Sequence, residues 1–361
     1  MKLDIKSMFI PELEEYFKLE GEQQFRAKQV FSRLHAGVVS FSDMTNLSLE
    51  LRSRLDREFY ISVPELIEKQ VSETDGTAKF LWRLNDGESV ECVLMQYKHG
   101  NTVCISSQVG CKMGCVFCAS APDGFKRNLD ASEMLDQVIF TQNQMTSDQQ
   151  DKGKRISNIV LMGIGEPLDN FDNVMRFIQL VIHPSGLNIG SRHITLSTCG
   201  MAENIDRLAQ YDVQLTLAIS LHAPDDDTRS LLIPANKRYG INELLEAGER
   251  YFHKTGRRVT YEYALIDGIN DSPDQAELLS RLLDNTKSHL NLLLLNSIKE
   301  CKYKTAAKEN VHKFTNVLKK NGVNFTIRRS LGADIEASCG QLRHRHIGSN
   351  FAAGEFRNAP R

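Results

Sequence analysis

Four of the eight cysteines in this 361-residue chain, Cys104, Cys111, Cys115 and Cys118, fall within fifteen residues. Three of them stand as Cys111-Lys-Met-Gly-Cys115-Val-Phe-Cys118, directly after a short apolar run, Thr102–Ser106, that reads as a strand. Thiolates at this spacing can converge on one metal centre if the loop is compact, and Gly110 and Gly114 ease the turn. An iron–sulfur cluster of the [4Fe–4S] type usually takes four cysteines, so three local ligands leave one iron open. The alternative is structural zinc, which wants four ligands, often as two separated pairs. No second pair or neighbouring histidine accompanies this loop, and the spacing favours the cluster. A second group, Met162-Gly-Ile-Gly-Glu166-Pro-Leu168, ends the next apolar run. By itself it reads as a tight turn. Beside the cysteine loop it suits a glycine-rich contact, with Glu166 accepting hydrogen bonds from an ammonium group.

The C-x3-C-x2-C spacing, with Phe117 before the last cysteine, resembles that of the radical S-adenosylmethionine superfamily. The resemblance narrows with Cys104-Ile-Ser-Ser-Gln-Val-Gly-Cys111, Phe125-Lys-Arg-Asn-Leu129, Ser197-Thr-Cys-Gly200, Ser220-Leu-His222, Thr255-Gly-Arg-Arg258, Ala337-Ser-Cys-Gly-Gln-Leu342 and the N-terminal Phe25-Arg-Ala-Lys-Gln29. Together these are similar to the RlmN/Cfr family of RNA adenosine methyltransferases, over a span from about residue 10 to Leu342.

That resemblance implies a mechanism. The family methylates an amidine-type ring carbon of adenine, C2 in one branch and C8 in the other, and neither carbon is nucleophilic. A cysteine is methylated first, and an adenosyl radical from a second cofactor molecule takes a hydrogen from the S-methyl group. The carbon radical adds to the base, a general base removes the ring proton, and a second cysteine releases the product. By resemblance, Cys339 is the methylated cysteine, Cys104 the resolving one and Glu91 the general base. Cys339 and Cys104 then pair transiently and need reduction after each turnover. The cluster ligands are Cys111, Cys115 and Cys118; the cofactor contacts are Gly165, Glu166, Ser197, Ser220, Leu221, His222 and Asn296. Cys92, Cys199 and Cys301 match no required role. Read without the resemblance, Cys339 and Cys104 are buried structural thiols and Glu91 an outward-facing strand glutamate.

The implied cofactors are one [4Fe–4S] cluster and two molecules of S-adenosylmethionine per turnover. The implied partners are 23S ribosomal RNA, tRNA and an electron donor such as flavodoxin or ferredoxin, with the chain a monomer. The stretch Met162 to Asn170 is more similar to the C2 branch. The competing readings are a C8 methyltransferase that confers antibiotic resistance, a zinc-stabilised RNA-binding protein, and a radical enzyme acting on a protein glycine. The last gives Cys104 and Cys339 no purpose.

Elements that must position these residues are legible as patterns. The first sixty residues read as three helices, with Leu13, Tyr16 and Phe17, then Phe25, Ala27, Val30, Phe31 and Leu34, then Leu47, Leu51, Leu55 and Phe59 at helical spacing. Leu66 to Val71, Thr77 to Leu84 and Glu88 to Gln96 read as strands joined by Asp75-Gly76 and Asn85-Asp86-Gly87 turns. Beyond residue 100 strand and helix alternate, with strands at Thr102–Ser106, Ile159–Met162, Ile194–Ser197, Leu215–Leu221, Val259–Leu265, Leu290–Leu295 and Val323–Ile327. The expected fold class is α/β: a partial (β/α)6 TIM-like radical SAM barrel with a small N-terminal helical domain and a β extension. The expected division is a helical RNA-binding domain over 1–60, a β-meander over 61–99, the barrel over 100–330, and a catalytic-cysteine loop and tail over 331–361. Its site belongs at the carboxyl ends of the strands.

Composition sets outer limits. No apolar run reaches the ~20 residues that span a bilayer, and the start lacks the apolar stretch of a secretory signal. A cytoplasmic location is the expectation. The net charge of −2 carries no global nucleic-acid signature, which leaves local basic clusters to hold phosphates. The candidates are Lys126-Arg127, Arg257-Arg258, Lys319-Lys320, Arg328-Arg329 and Arg343-His-Arg345.

Overall fold

The computed structural model describes residues 2–98, 100–147, 153–284, 286–295, 302–335 and 341–346. Cys339, Asn296 and Cys301, and the tail beyond residue 346, lie outside the described residues.

A two-residue strand β1 (Leu3–Asp4) opens the chain, followed by α1 (Ile10–Leu19), α2 (Phe25–His35) and α3 (Leu49–Glu58). Pro11 begins α1, where a missing N–H costs nothing, and Glu12 folds back onto the Phe9 N–H at 2.7 Å. Ser48 caps α3 by accepting from Leu51 N at 3.2 Å. Leu13, Phe17, Val30, Phe31, Leu34, Leu51 and Leu55 form the shared apolar interior. β2 (Phe59–Tyr60) returns to pair with β1.

Three antiparallel strands follow: β3 (Glu65–Val71), β4 (Ala78–Arg83) and β5 (Ser89–Tyr97). β5 also pairs with β6 (Gly100–Cys104), so the meander and the barrel share one sheet. After β6 comes a two-stranded ladder that the sequence patterns did not suggest, β7 (Gln108–Gly110) against β8 (Phe125–Asn128). Then α4 (Ala131–Thr146), β9 (Ile156–Leu161), α5 (Phe171–Ile182), β10 (Ile194–Thr198), α6 (Ala202–Leu208), β11 (Thr216–Ser220), α7 (Asp226–Leu232), α8 (Ile241–Thr255), β12 (Val259–Leu265), α9 (Pro273–Leu282), β13 (Ser288–Leu294), α10 (Lys308–Lys320) and β14 (Phe325–Ile327) complete the chain. The large sheet runs β14-β13-β12-β11-β10-β9-β6-β5-β4-β3, parallel from β6 to β14. This is an open, partial barrel of six strand–helix units followed by a seventh parallel strand at the sheet edge, as the α/β expectation required. None of its described helices is long and apolar enough to cross a membrane.

Polar contacts lock the helical unit to the barrel. Lys6 is buried, bonded to Asp136 of α4 and to the Ser62 carbonyl, and Ser62 Oγ donates to the same aspartate. Arg176 of α5 donates to the Ser7 carbonyl at 2.7 Å and pairs with Glu12. Removing one partner of a buried ion pair strands the other charge and typically costs about 3–5 kcal/mol. Lys6→Ala is therefore expected to lower the urea midpoint sharply, and Lys6→Met combined with Asp136→Leu to recover most of the loss.

Candidate active site

The cysteine loop is pinched at its base. The β7–β8 ladder brings Gly110 beside Phe125, and Cys111 N donates to the Gly124 carbonyl at 3.1 Å. Gly110 has φ +75°, and a Cβ there would lie 1.7 Å from that carbonyl oxygen, so only glycine closes the ladder. Beyond it, Cys118 N donates to the Cys115 carbonyl at 3.1 Å, and Val116 N donates to the Leu232 carbonyl at the end of α7 at 3.0 Å.

Cys111, Cys115 and Cys118 all line one cavity of about 250 Å³, together with Gly165, Glu166, Ser197, Ser220 and His222. Burial pushes the Cys111 thiol up to about 12, helped by the charges of Cys118, Glu166 and Asp169, and raises Cys115 as well. Deprotonated sulfur here needs a cationic centre. Among the described residues, no trio of His, Cys, Asp or Glu side chains is arranged to hold a single metal ion. Three thiols around one cavity instead fit a cluster in which each cysteine takes a different iron.

The facing wall comes from the strand ends. Gly165, at φ +105°, lets the chain pass Gln108, whose Cβ would sit 2.6 Å from any Cβ on residue 165. Gln108 Oε1 accepts from Glu166 N at 2.9 Å. Glu166 is buried, and its two oxygens accept from Leu168 N at 3.0 Å and Cys199 N at 2.7 Å. Burial raises its carboxyl above the usual range while those N–H groups oppose the rise. The side chains of Thr198 and Cys199 also hydrogen-bond to it. Leu221 is fully buried in the hydrophobic core and does not line this cavity; its N–H donates to the Glu262 carbonyl and its carbonyl accepts from Arg229. His222 adopts a left-handed φ of +56°. Its Nδ1 accepts from Ala264 N at 2.9 Å, which leaves Nε2 as the donor. Burial and the charge of Arg229 lower its pKa to about 3, so the ring is neutral.

Two buried charges at the site follow no local motif. Arg229 is 0% exposed and donates to the carbonyls of Cys199 (2.5 Å), Ser220 (3.0 Å), Leu221 (3.1 Å) and Tyr239 (3.3 Å) and to Asn236 Oδ1 (2.6 Å). Glu262, 4% exposed, lines the same cavity from β12. Its Oε1 accepts from Asn291 at 3.0 Å, while Oε2 has no hydrogen-bond partner among the described residues and lies 3.9 Å from Arg328 Nη1. A charged residue in the all-buried strand Val259–Leu265 was a readable signal for it.

A second cavity of about 370 Å³ adjoins the first. Cys104 lines it, with Val93, Met95 and Tyr97 of β5 and Arg329 beyond β14. Phe117, Cys118, Met162, His222, Leu293 and Arg328 line both. The two spaces thus share a wall that includes the Cys118 thiol, two ring side chains and a guanidinium.

A radical SAM superfamily profile matches residues 105–279, and a ribosomal RNA large subunit methyltransferase N-terminal domain profile matches residues 3–61. The chain is 50% identical over 343 residues to a probable dual-specificity RNA methyltransferase RlmN of Lachnoclostridium phytofermentans, spanning 95% of this chain and 94% of the relative. It is 48% identical to the protein of the same name from Clostridium perfringens strain 13, over 96% and 98% of the two chains. The chain belongs to the RlmN family. A crystal structure of a radical SAM methyltransferase from Sphaerobacter thermophilus superposes with a TM-score of 0.88 at 41% identity, covering 94% of this chain and 98% of that one.

Within this RlmN-family fold, Glu91 is 2% exposed, not outward-facing. It shares a face of β5 with Val93 and Met95, and pairs with Lys79 Nζ at 3.0 Å. Its other oxygen accepts from Arg343 N. Cys92, on the opposite face, accepts from Trp82 Nε1 at 3.1 Å and meets Thr141 of α4, a structural setting. Cys104 is buried, and no disulfide joins two of the described cysteines.

The basic clusters separate by environment. Arg127 is committed to Asp86 and Glu133 and Arg343 is buried, so neither offers a free charge to phosphate, whereas Arg257 meets only neutral acceptors, the Leu215 carbonyl and the Thr216 hydroxyl. Arg328 and Arg329 stand at the larger cavity. Arg229→Met leaves four buried carbonyls without their donor, each worth about 1–3 kcal/mol when unmade. Urea unfolding is expected to show a loss of about 3 kcal/mol or more.

Proposed function

We propose that this chain is a dual-specificity RNA methyltransferase that places a methyl group on C2 of an adenosine in 23S ribosomal RNA and on the adenosine 3′ of the anticodon in tRNA. The reading is carried by the two cavities sharing one wall, the smaller lined by Cys111, Cys115 and Cys118 and the larger by Cys104. Near-full-length identity to RlmN relatives supports it.

Cys111, Cys115 and Cys118 would hold a [4Fe–4S] cluster, and Gly165, Glu166, Ser197, Ser220, His222 and Asn296 would hold S-adenosylmethionine. When bound and reduced by a donor such as flavodoxin or ferredoxin, this pair supplies a 5′-deoxyadenosyl radical. Glu166 receives the ammonium end of the cofactor, and its burial makes that pairing strong. The neutral His222 donates from Nε2 without adding charge beside the cluster. Val93, Met95, Phe117 and Met162 give the larger cavity an apolar lining suited to a splayed adenine, with Arg328 and Arg329 toward the phosphates. Cys339 carries the methyl group, Glu91 takes the ring proton, and the Cys104 thiolate attacks sulfur to release the product. The chain acts in the cytoplasm, as a monomer.

Cys104→Ala, expressed with its RNA and purified anaerobically, is expected to retain RNA fragments covalently attached at Cys339, visible by nuclease digestion and peptide mass spectrometry. A cluster-loaded variant without the adduct would overturn the two-cysteine reading. Fragmentation of the released base distinguishes C2 from C8 as the methylated carbon. Glu91→Gln is expected to slow methylated-adenosine formation at least about a hundredfold, the range of a lost general base.

A further inference from the structure

Residues 341–346 present a buried charge with an unusual number of tethers. Arg343 is 1% exposed. Its Nε donates to the Ser89 carbonyl at 2.8 Å, Nη1 to Asp123 Oδ2 at 2.8 Å, and Nη2 to Glu88 Oε2 at 3.3 Å. Its own backbone N–H donates to Glu91 Oε1. Asp123, in the loop between Cys118 and β8, has its second oxygen 2.7 Å from His344 Nδ1. Burying a guanidinium is costly unless several acceptors meet it. Here they come from two places, the start of β5 and the cysteine loop. On the other side of residues 336–340 the chain is also held: Asp334 accepts from Ser72 Oγ at 2.7 Å and Glu73 N at 2.9 Å, and Gly332 N donates to Asp75 at 2.9 Å.

We infer that Arg343 is a positioning residue for the proton-accepting carboxylate: its guanidinium, fixed by Asp123, Glu88 and Ser89, holds its own backbone N–H on Glu91. This rests on the assignment of Glu91 as the general base. Lys79 of β4 also meets Glu91, and Asp123 stands behind Arg343. A carboxylate that takes a proton must be held within reach of it. The N–H is a main-chain group, and the Arg343 guanidinium anchors the residue that carries it, while His344 on Asp123 and Arg345 on Glu68 hold the next two. Without the Arg343 anchor the N–H no longer fixes Glu91 Oε1 in place, and turnover falls. The Asp123 link places this control next to the cluster-binding loop.

The test uses the full-length, cluster-loaded enzyme with S-adenosylmethionine and an rRNA fragment, following methylated adenosine at limiting and saturating fragment. Arg343→Ala and Asp123→Asn are each expected to lower kcat roughly tenfold while KM for the fragment stays unchanged, the pattern of a misplaced catalytic group. Arg343→Lys, which can keep one bond to Asp123, should fall between. Hydrogen exchange at the Arg343 amide should rise in Asp123→Asn. Should Arg343→Ala fail to fold, Asp123→Asn carries the test, since it keeps the shape and removes only the charge. An unchanged kcat in either folded variant overturns the inference. If Glu91→Gln abolishes turnover while Asp123→Asn leaves kcat in place, the positioning role alone fails. If Glu91→Gln leaves kcat unchanged, the base assignment itself fails.

Discussion

The Arg229 guanidinium is the contact on which the geometry of this site turns. Strands of a parallel barrel end in carbonyls whose partners run out where the loops begin, and a buried unpaired carbonyl is expensive. Arg229 answers this for three positions at the ends of two neighbouring strands, Cys199, Ser220 and Leu221, from a single side chain on α7. The following turn also anchors the cysteine loop, because the Leu232 carbonyl takes the Val116 N–H. One short helix therefore fixes both the strand ends and the loop that faces them.

Charge is distributed so that the cavities stay inert until loaded. Raised thiol pKa values, a neutral His222 and a Glu166 carboxyl raised by burial all describe a low-dielectric space short of positive charge. Arg328 stands at the boundary of the two cavities, in a long ion pair with Glu262. Cluster iron, sulfonium and ammonium would each supply what these groups lack. Such preorganised polarity favours the cationic ligand over water before any chemistry begins.

Much of this was legible in residue order, and the exceptions have physical reasons. Hairpin turns at Asp75-Gly76 and Asn85-Asp86-Gly87 and the alternation beyond residue 100 gave these strands within one to three residues at each end. The cysteine spacing pointed to the cavity where those side chains meet. The β7–β8 ladder escaped because its strands are three and four residues long and lack alternation. α6 and α7, at seven residues each, are too short to display a helical period. Arg229 and Arg343 could not be placed from sequence: Arg343 finds its acceptors more than two hundred positions away, and it read as one of several surface basic clusters. Local pattern reports which face an apolar residue wants, whereas a buried cation is defined by distant acceptors.

The register of β5 has a consequence for how this chain can vary. Glu91 looks toward Lys79 and the C-terminal segment, and its neighbour Cys92 looks toward Trp82 and α4, because successive strand residues alternate faces. An insertion of one residue between Glu88 and Glu91 would exchange those two faces along the rest of the strand. It would send a carboxylate into the apolar layer under α4 and a thiol toward Lys79. Length changes among descendants of this sequence are thus confined to the turns on either side, and the spacing from Glu88 to Tyr97 is inherited as a unit.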